Sequence, residues 1–223
     1  MSLTNLTVML VDDHRIVRDG LRALIGKVEG MSVCGEAENG REAIELSRQL
    51  HADVILMDVT VPDINGIEAT GRIMKELPET KIIALSTHSD PHVAIEMFKA
   101  GARGYVPKHC GFEEVVRAIR EVMEGKVYLS PQIAGAVISD YMQHVQHVPV
   151  TTTAFETLAP RQREVLQMIA EGNSTKKIAG TLHISIKTVD WHKHDIKHKL
   201  HIDTLAGLVK YAIRENLTSV EHV

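Results

Sequence analysis

The sequence has few cysteines, few aromatic residues and no long hydrophobic run. Of 223 residues only two are cysteine, Cys34 and Cys110, and aromatic residues make up 4%. Two isolated cysteines are too few for a disulfide framework or a cysteine-rich metal cluster, so both are expected to be reduced thiols. The apolar runs are far too short to cross a bilayer, and the first residues do not resemble a cleavable signal segment. These absences predict a cytoplasmic protein with no membrane attachment.

Charge is distributed unevenly along the chain. The formal net charge is −4. Residues 1–125 contain 14 Lys/Arg and 20 Asp/Glu, a net charge of −6, whereas residues 156–217 contain 10 Lys/Arg and 7 Asp/Glu, a net charge of +3, with five histidines. An acidic half joined to a basic half suggests that the basic half binds a polyanion, although the same pattern also fits an ordinary solvated surface.

Apolar runs and amphipathic stretches alternate through the first 125 residues. The apolar runs, expected to be strands, are Thr7–Val11, Met31–Gly35, Val54–Asp58, Ile82–Ser86 and Gly104–Val106. The amphipathic stretches, expected to be helices, are Ile16–Ile25, Arg41–Leu50, Ile67–Leu77, Val93–Ala100 and Glu113–Met123. Five strand–helix units predict an α/β domain, a doubly wound five-stranded parallel sheet. In such sheets, binding sites form at the carboxyl ends of the strands.

The second half has a different character. Residues 126–155 are predicted to be a linker with a helix that starts at Pro131, followed by a connector at residues 147–153. From residue 156 onward the sequence predicts a small all-α domain of four helices, and residues 218–223 form a tail. The four predicted helices are Pro160–Glu171, Thr175–Leu182, Ile186–Leu200 and Thr204–Glu215. Ser185 is placed to cap the third of them.

Acidic residues end two of the predicted strands. Asp12 and Asp13 end the first strand and Asp58 ends the third. If these strands are neighbours, three carboxylates meet at one edge, where they repel each other unless a cation or a raised pKa compensates. Ligation by carboxylate oxygens suits Mg²⁺.

A hydroxyl pair and a lysine follow the remaining strand ends. Ser86-Thr87 ends the fourth strand, and Lys108 follows the fifth. An aspartate nucleophile, a metal, a hydroxyl and a lysine together indicate a phosphoryl-transfer site, with Asp58 as the acceptor. Taken one at a time, the same residues could be ordinary helix caps and loop acids.

Four short motifs resemble the receiver domain of bacterial response regulators over about residues 5–125. They are "VDD", "MDVTVPDING", "ALSTH" and "GYVPK". The resemblance implies a flavodoxin-like fold, phosphorylation by a sensor histidine kinase and Mg²⁺ as cofactor. The roles it implies are phosphoacceptor for Asp58; metal ligands for Asp12, Asp13, Asp58 and the Thr60 carbonyl; switch hydroxyl for Ser86; aromatic switch partner for Tyr105; and phosphate contact for Lys108.

The sequence departs from the receiver pattern beside this site. Val61 replaces a common methionine, and His109-Cys110 replaces the more usual proline or aspartate after the lysine. Both changes could alter how long the phosphoryl group persists. A phosphatase of the haloacid dehalogenase type would need a second acid where this chain has Thr60. The domain is therefore expected to accept and hold phosphate, and to be no enzyme beyond its own phosphorylation and dephosphorylation.

The stretch "ISIKTVDWHKHDIKHKL" predicts an exposed helix with one apolar face. Val189, Ile196 and Leu200 lie on one side together with Lys193, and the preceding helix can pack on them through Ile178, Ala179 and Leu182. The pattern predicts a helix-turn-helix, with a bundle that has a solvated polar face as the alternative.

Residues 156–217 resemble the DNA-binding domain of LuxR-type regulators, so the whole chain resembles a response regulator of the NarL/FixJ family. Double-stranded DNA is the implied partner, and the candidate contacts are Lys187, Thr188, Asp190, Trp191, His194, Lys197 and His198. Asp190 is unusual beside phosphates and could accept from a cytosine amino group or pair with a neighbouring lysine. The histidines of this helix do not complete a metal-ligand set. His201 stands where the family often has glycine.

The implied function is a transcription regulator that is switched by phosphorylation and binds promoters as a homodimer when phosphorylated. Leu208 and Val209 are candidate dimer contacts, with an ordinary core role equally compatible. A DNA-binding protein that is always active, with a receiver used only for dimerisation, and an output domain that binds protein remain as alternatives. The acid cluster argues against the first alternative, and the basic exposed helix argues against the second.

Overall fold

A parallel sheet forms the centre of the N-terminal half. The computed structural model describes residues 5–87, 91–146, 155, 157–215 and 217–218; the predicted connector at 147–153 and tail residues 219–223 lie outside this range. The strands are β1 (Leu6–Val11), β2 (Met31–Ala37), β3 (Val54–Asp58), β4 (Lys81–Ser86), β5 (Gly104–Pro107) and β6 (Tyr128–Leu129). Their order is β2-β1-β3-β4-β5-β6, and every neighbouring pair is parallel. All five residues of β3 are buried, which explains its uninterrupted apolar run.

The sheet has six strands in the described residues, so the prediction of five was wrong. The extra strand, β6, is only two residues long and pairs with β5. Tyr128 N–H donates to the Arg103 carbonyl at 2.9 Å, and Ser130 N–H donates to the Tyr105 carbonyl at 3.1 Å. Two residues are too few to produce an alternating pattern, and they lie in the stretch that was predicted to be a linker.

In the part of the chain that the structure describes, six helices surround this sheet. They are α1 (Arg15–Ile25), α2 (Gly40–Leu50), α3 (Gly66–Glu76), α4 (Pro91–Ala100), α5 (Phe112–Met123) and α6 (Pro131–Gln146). Helices α1 and α5 share one apolar core with the sheet, which includes Ile25, Val115 and Ile119. Helices α2, α3 and α4 pack side by side, and α6 packs on α4. Because helices cover both faces of the sheet, a binding site is expected at the ends of its strands.

A separate helical unit follows. It contains α7 (Pro160–Ala170), α8 (Thr175–Leu182), α9 (Ile186–Leu200) and α10 (Leu205–Arg214). These bounds match the helices predicted from the sequence to within one residue at each end. One core joins them, and it includes Val165, Ile178, Val189, Ile196 and Leu208.

Candidate functional sites

Three carboxylates meet at the carboxyl edge of the sheet. The strands β1 and β3 are neighbours, with Val11 opposite Met57, so the residues that follow them come together. Ligand atoms of Asp12, Asp13 and Asp58, together with a ring nitrogen of His14, all lie within 4.8 Å of one another. Asp12 and Asp58 are almost completely buried, 1% and 3% exposed. Burial in such a group makes the charged state costly unless positive charge is near.

Lys108 provides that positive charge. Its Nζ lies 2.6 Å from Asp12 Oδ2 and 2.8 Å from Asp58 Oδ2. Burial raises the pKa of the Asp58 carboxyl, and Lys108 offsets this only in part because Asp12 adds a like charge. For Lys108, burial acts to lower the pKa, but the carboxylates of Asp58 and Asp12 outweigh it and raise the pKa. The ammonium therefore stays charged between two buried acids.

The loop after Asp58 is held by main-chain hydrogen bonds. Thr60 N–H donates to Asp58 Oδ1 at 3.1 Å, and Gly66 N–H donates to the Val59 carbonyl at 2.9 Å. A Cβ at Gly66 would lie 2.2 Å from the Asp58 carbonyl oxygen, so this position accepts only glycine. The pair Asn65-Gly66 thus lets α3 start directly against the strand that carries Asp58.

Ser86 and Tyr105 lie on the two strands beyond β3. Ser86 ends β4 and is 3% exposed, and its carbonyl accepts from Lys108 N–H at 2.7 Å. Tyr105, on β5, has no exposed surface. The hydroxyl, the aromatic ring and the lysine therefore belong to adjacent strands at one edge of the sheet.

Helices α8 and α9 form a helix-turn-helix with defined ends. Ser174 Oγ accepts from Lys177 N–H at the start of α8, and Ser185 Oγ accepts from Thr188 N–H at 3.0 Å at the start of α9. The cap predicted for Ser185 is therefore present. The apolar face of α9 is buried as predicted, through Val189, Ile196 and Leu200, and α8 supplies Ile178, Ala179 and Leu182 to the same core.

The opposite face of α9 is exposed. Trp191 is 59% exposed, a large exposure for the largest aromatic side chain, and its ring meets His192 edge-on with centroids 5.0 Å apart. The predicted DNA contacts on the exposed face are Lys187, Asp190, Trp191, His194 and His198, whereas Thr188 and Lys197 are half-buried. Lys197 Nζ donates to the Asp203 carbonyl at 2.7 Å.

Two questions left open by the sequence have structural answers in α9. No ion pair within the described residues joins Asp190 to Lys187 or Lys193, and Lys193 instead donates to Thr175 on α8. His201 ends α9 in the left-handed conformation, with φ of 54°, so it takes the conformation that glycine would supply.

One predicted contact residue is not available at the surface. Leu208 is fully buried in the C-terminal core, which favours its core role over contact with a second copy. Val209 is half-buried. The large exposed apolar residue on α10 is Leu205, 58% exposed, one turn before Leu208.

Two family models match the chain. "Response regulator receiver domain" matches residues 8–120, and "Bacterial regulatory proteins, luxR family" matches residues 156–212. Response regulator GacA of Pseudomonas aeruginosa is 35% identical over 210 residues, 94% of this chain and 96% of that protein. Response regulator UvrY of Escherichia coli K12 is 34% identical over 216 residues, 97% of each. The chain is a response regulator of the NarL/FixJ family.

A solved structure of another response regulator has a related fold. RcsB from Salmonella enterica serovar Typhimurium, bound to promoter rprA in the presence of phosphomimetic BeF₃⁻, gives a TM-score of 0.58 at 26% identity. The match covers 97% of this chain and all of that one. With its receiver and LuxR-type domains, this response regulator is a DNA-binding transcription regulator controlled through phosphorylation. No helix among its described residues is long and apolar enough to span a membrane.

The acid cluster of this response regulator fits the Mg²⁺ that receiver domains generally bind at an acidic pocket. Three carboxylates are the hard oxygen donors that Mg²⁺ prefers. The ligand atoms lie within 4.8 Å of one another, close enough for one cation to be held by this group. The histidines of α9 do not belong to any group of three or more possible ligands among the described residues.

Two residues at the site were missed by the sequence reasoning. His14 N–H donates to Asp12 Oδ1 at 2.9 Å, and His14 Nδ1 lies 2.8 Å from Asp13 Oδ1. Partial burial opposes a charged ring, but Asp13 and Asp12 outweigh it and raise the pKa of His14. Arg18, on α1, is 5% exposed and reaches back to the loop. The spacing of Arg18 could have revealed it: it lies seven residues before the buried Ile25, which places both residues on the inner face of α1.

Proposed function

We propose that this response regulator takes a phosphoryl group from a sensor histidine kinase onto Asp58 and then binds promoter DNA as a dimer. The observation that carries the first step is the pair of contacts from Lys108 Nζ to Asp12 and Asp58. A lysine between two buried acids can contact the new negative charge when one of these acids becomes an acyl phosphate.

In the chemical step, an oxygen of Asp58 attacks the phosphorus of a phosphohistidine. The P–N bond breaks, the imidazole leaves with the electron pair, and an acyl phosphate forms. Lys108 neutralises charge on the phosphoryl oxygens. Mg²⁺, held by Asp12, Asp13, Asp58 and the Thr60 carbonyl, supplies the remaining positive charge when it is bound.

A protein phosphodonor is supported by an apolar groove beside the lysine. The groove has a volume of ≈ 280 Å³ between α1 and the start of α5. Exposed or half-exposed apolar side chains line it, including Ile16, Leu24 and Phe112, and the buried Pro107 forms part of its wall. Ile16 is 83% exposed, which fits a surface that another helix covers during transfer. Both the transfer and the DNA step would take place in the cytoplasm.

The phosphorylation step is tested with acetyl phosphate and Mg²⁺ on the full chain. Intact-mass measurement should show one added phosphoryl group, and Asp58→Asn should abolish it because the nucleophile is gone. Asp53→Asn is the matched control, since Asp53 precedes the same strand at its opposite end and bonds Thr7. Stoichiometric labelling of Asp58→Asn would contradict the assignment. Sedimentation of the same samples should show dimers only where the label is present.

We propose that Ser86 and Tyr105 convert the phosphoryl group into a change of shape. Ser86 would move toward the phosphoryl oxygens, and the Tyr105 ring would change position with it. Support comes from the strand neighbours: Ser86 lies opposite Pro107, two residues from Tyr105, so a shift at β4 reaches β5 directly. The main-chain carbonyl of Tyr105 also accepts one of the hydrogen bonds that join β6 to this edge of the sheet.

The DNA step is assigned to the exposed face of α9. Lys187 lies at its first turn, where it can reach a phosphate, and Trp191 lies one turn further, where it can cover a thymine methyl group. Lys187→Ala should weaken binding to all sequences and lower the salt slope by about one unit. Trp191→Ala should cost ~1–3 kcal/mol on the specific site and little on random DNA.

Binding isotherms at several salt concentrations separate these two effects. They compare a site found by footprinting genomic fragments with a scrambled duplex of the same length. Lys210→Ala, on the exposed side of α10, serves as the control for loss of one positive charge away from α9. If both α9 variants bound the specific site as tightly as the parent, α9 would not be the helix that enters the groove.

A further inference from the structure

Arg18 is a buried arginine beside the proposed metal site. It lies on the first turns of α1 and is only 5% exposed. Its terminal NH1 nitrogen donates to the main-chain carbonyl of Asp12 at 2.6 Å. Other contacts hold Asp12 as well: its side chain accepts from His14 N–H at 2.9 Å and contacts Lys108 Nζ, and its own N–H donates to the Ala37 carbonyl at 3.2 Å. A carbonyl contact of this kind restricts the backbone from which two of the acids project.

The charge of Arg18 is matched locally by other acids. Its Nε lies 3.3 Å from Glu36 Oε2, and its remaining nitrogen pairs with Glu38. Both glutamates come from β2 and the residues after it, next to β1. The guanidinium therefore bridges α1, the loop at Asp12 and the end of β2. Its planar fork can serve three acceptors at fixed angles, which a lysine cannot do.

We infer that Arg18 is a positioning residue for the metal site: it fixes the Asp12 backbone so that the carboxylates of Asp12 and Asp13 are held in place for Mg²⁺. This inference rests on the proposed use of Mg²⁺ at the acid cluster. Groups that orient metal ligands from outside typically change metal affinity by 10–100-fold when they are removed. Arg18 touches no reacting atom, so it acts on the metal only through Asp12.

The charge of Arg18 and its positioning role predict opposite changes in Mg²⁺ affinity when the residue is replaced. Arg18→Gln removes a positive charge close to a cation site, and on charge alone Mg²⁺ would bind more tightly. If Arg18 positions the Asp12 backbone, Mg²⁺ should instead bind about 10-fold more weakly. Arg22→Gln is the matched control, because Arg22 lies one turn further along α1, also pairs with Glu36, and is half-exposed. Arg22 is not among the donors to Asp12, so its substitution should leave the affinity equal or slightly higher.

The test is Mg²⁺ titration of the full chain by calorimetry, with circular dichroism and melting temperature recorded for each variant. If Arg18→Gln does not fold, Arg18→Lys keeps the charge and loses the fork, and it should show the same weakening. Equal Mg²⁺ affinity of the parent and a folded Arg18 variant would overturn the inference. Absence of Mg²⁺ binding in the parent would overturn the proposed metal site as well.

A second measurement separates positioning from general destabilisation. With acetyl phosphate, the Mg²⁺ concentration for half-maximal labelling should rise about 10-fold in the Arg18 variant, while the labelling rate at saturating Mg²⁺ stays close to that of the parent. A purely structural role would lower the melting temperature or the plateau rate and leave the half-maximal concentration unchanged. That result would overturn the inference.

Discussion

Replacing Lys108 by methionine removes a buried cation and keeps most of its unbranched apolar chain. Lys108 Nζ contacts Asp12 and Asp58 at 2.6 and 2.8 Å, and both acids are almost fully buried. Breaking a buried ion pair by removing one partner typically costs ~3–5 kcal/mol. Protonation limits that cost, because an uncompensated carboxyl takes up a proton at about 1.4 kcal/mol per pKa unit. Without Mg²⁺ at pH 7 we therefore expect a loss of ~2–4 kcal/mol.

The stability lost in Lys108→Met should depend on pH. The pKa of Asp58 is already raised in the folded protein, and losing Lys108 removes the charge that offsets the rise. Between the unfolded pKa and the raised folded pKa, the folded state binds more protons than the unfolded state, so stability falls as pH rises through that window. Lys108→Met should therefore lose more stability relative to the parent at pH 7 than at pH 5.

Scanning calorimetry in EDTA and in Mg²⁺ is the appropriate assay. Lys99→Met is the control, since Lys99 is a mostly exposed lysine 2.8 Å from Glu96, and such surface pairs contribute about 1 kcal/mol or less. Mg²⁺ should stabilise Lys108→Met more than the parent because the ion replaces the missing charge. If the two methionine variants have the same melting temperature in EDTA, or if Mg²⁺ raises both melting temperatures equally, Lys108 does not compensate the charge of the acid cluster.

Two further predictions concern the helical unit. His201→Gly should raise its stability by about 0.5–1 kcal/mol because φ is 54° there, whereas His194→Gly inside α9 should lower it by about 1 kcal/mol, both measured as melting temperatures. A lower melting temperature for His201→Gly would contradict the assigned cap. Leu208→Ala should lower the free energy of unfolding by ~2–5 kcal/mol because it truncates a core side chain. Leu205→Ala, at an exposed position, should change it by no more than about 0.5 kcal/mol. Equal losses would mean that the α10 faces are misassigned.

The sequence predicted elements whose pattern is local. Strand β3 has the predicted bounds, Val54–Asp58, because an apolar run closed by turn residues carries its own ends. Strand β6 has no such pattern, since Tyr128 is joined to Arg103 by a bond that depends on the finished sheet. The α10 stripe was visible, but the pattern did not distinguish Leu208, which packs inward, from Leu205, which is exposed.

The acids of the candidate site could be predicted from the sequence, but the residue that supports them could not. Strand-end acids could be predicted to meet once the strands were taken as neighbours, and Asp12 and Asp58 do so. The contribution of Arg18 could not be derived, because its bond to the Asp12 carbonyl depends on how α1 packs back on the sheet. A side chain that bonds a main-chain atom is hard to predict from the sequence, because every residue type offers the same main-chain carbonyl as a partner.

Formal charges at the acid cluster support the switch role that we propose for Ser86. Asp12, Asp13 and Asp58 bring three negative charges, which Lys108 and one Mg²⁺ together neutralise. Phosphorylation replaces the single charge of Asp58 by the roughly two charges of a phosphoryl group, so one negative charge is left without a cation. Neutral donors would then be attracted to the phosphoryl oxygens, and we propose that Ser86, buried at the end of β4, is one of these donors. In the proposed mechanism this extra negative charge attracts the Ser86 hydroxyl only after phosphorylation, because the charges of the unphosphorylated cluster are balanced.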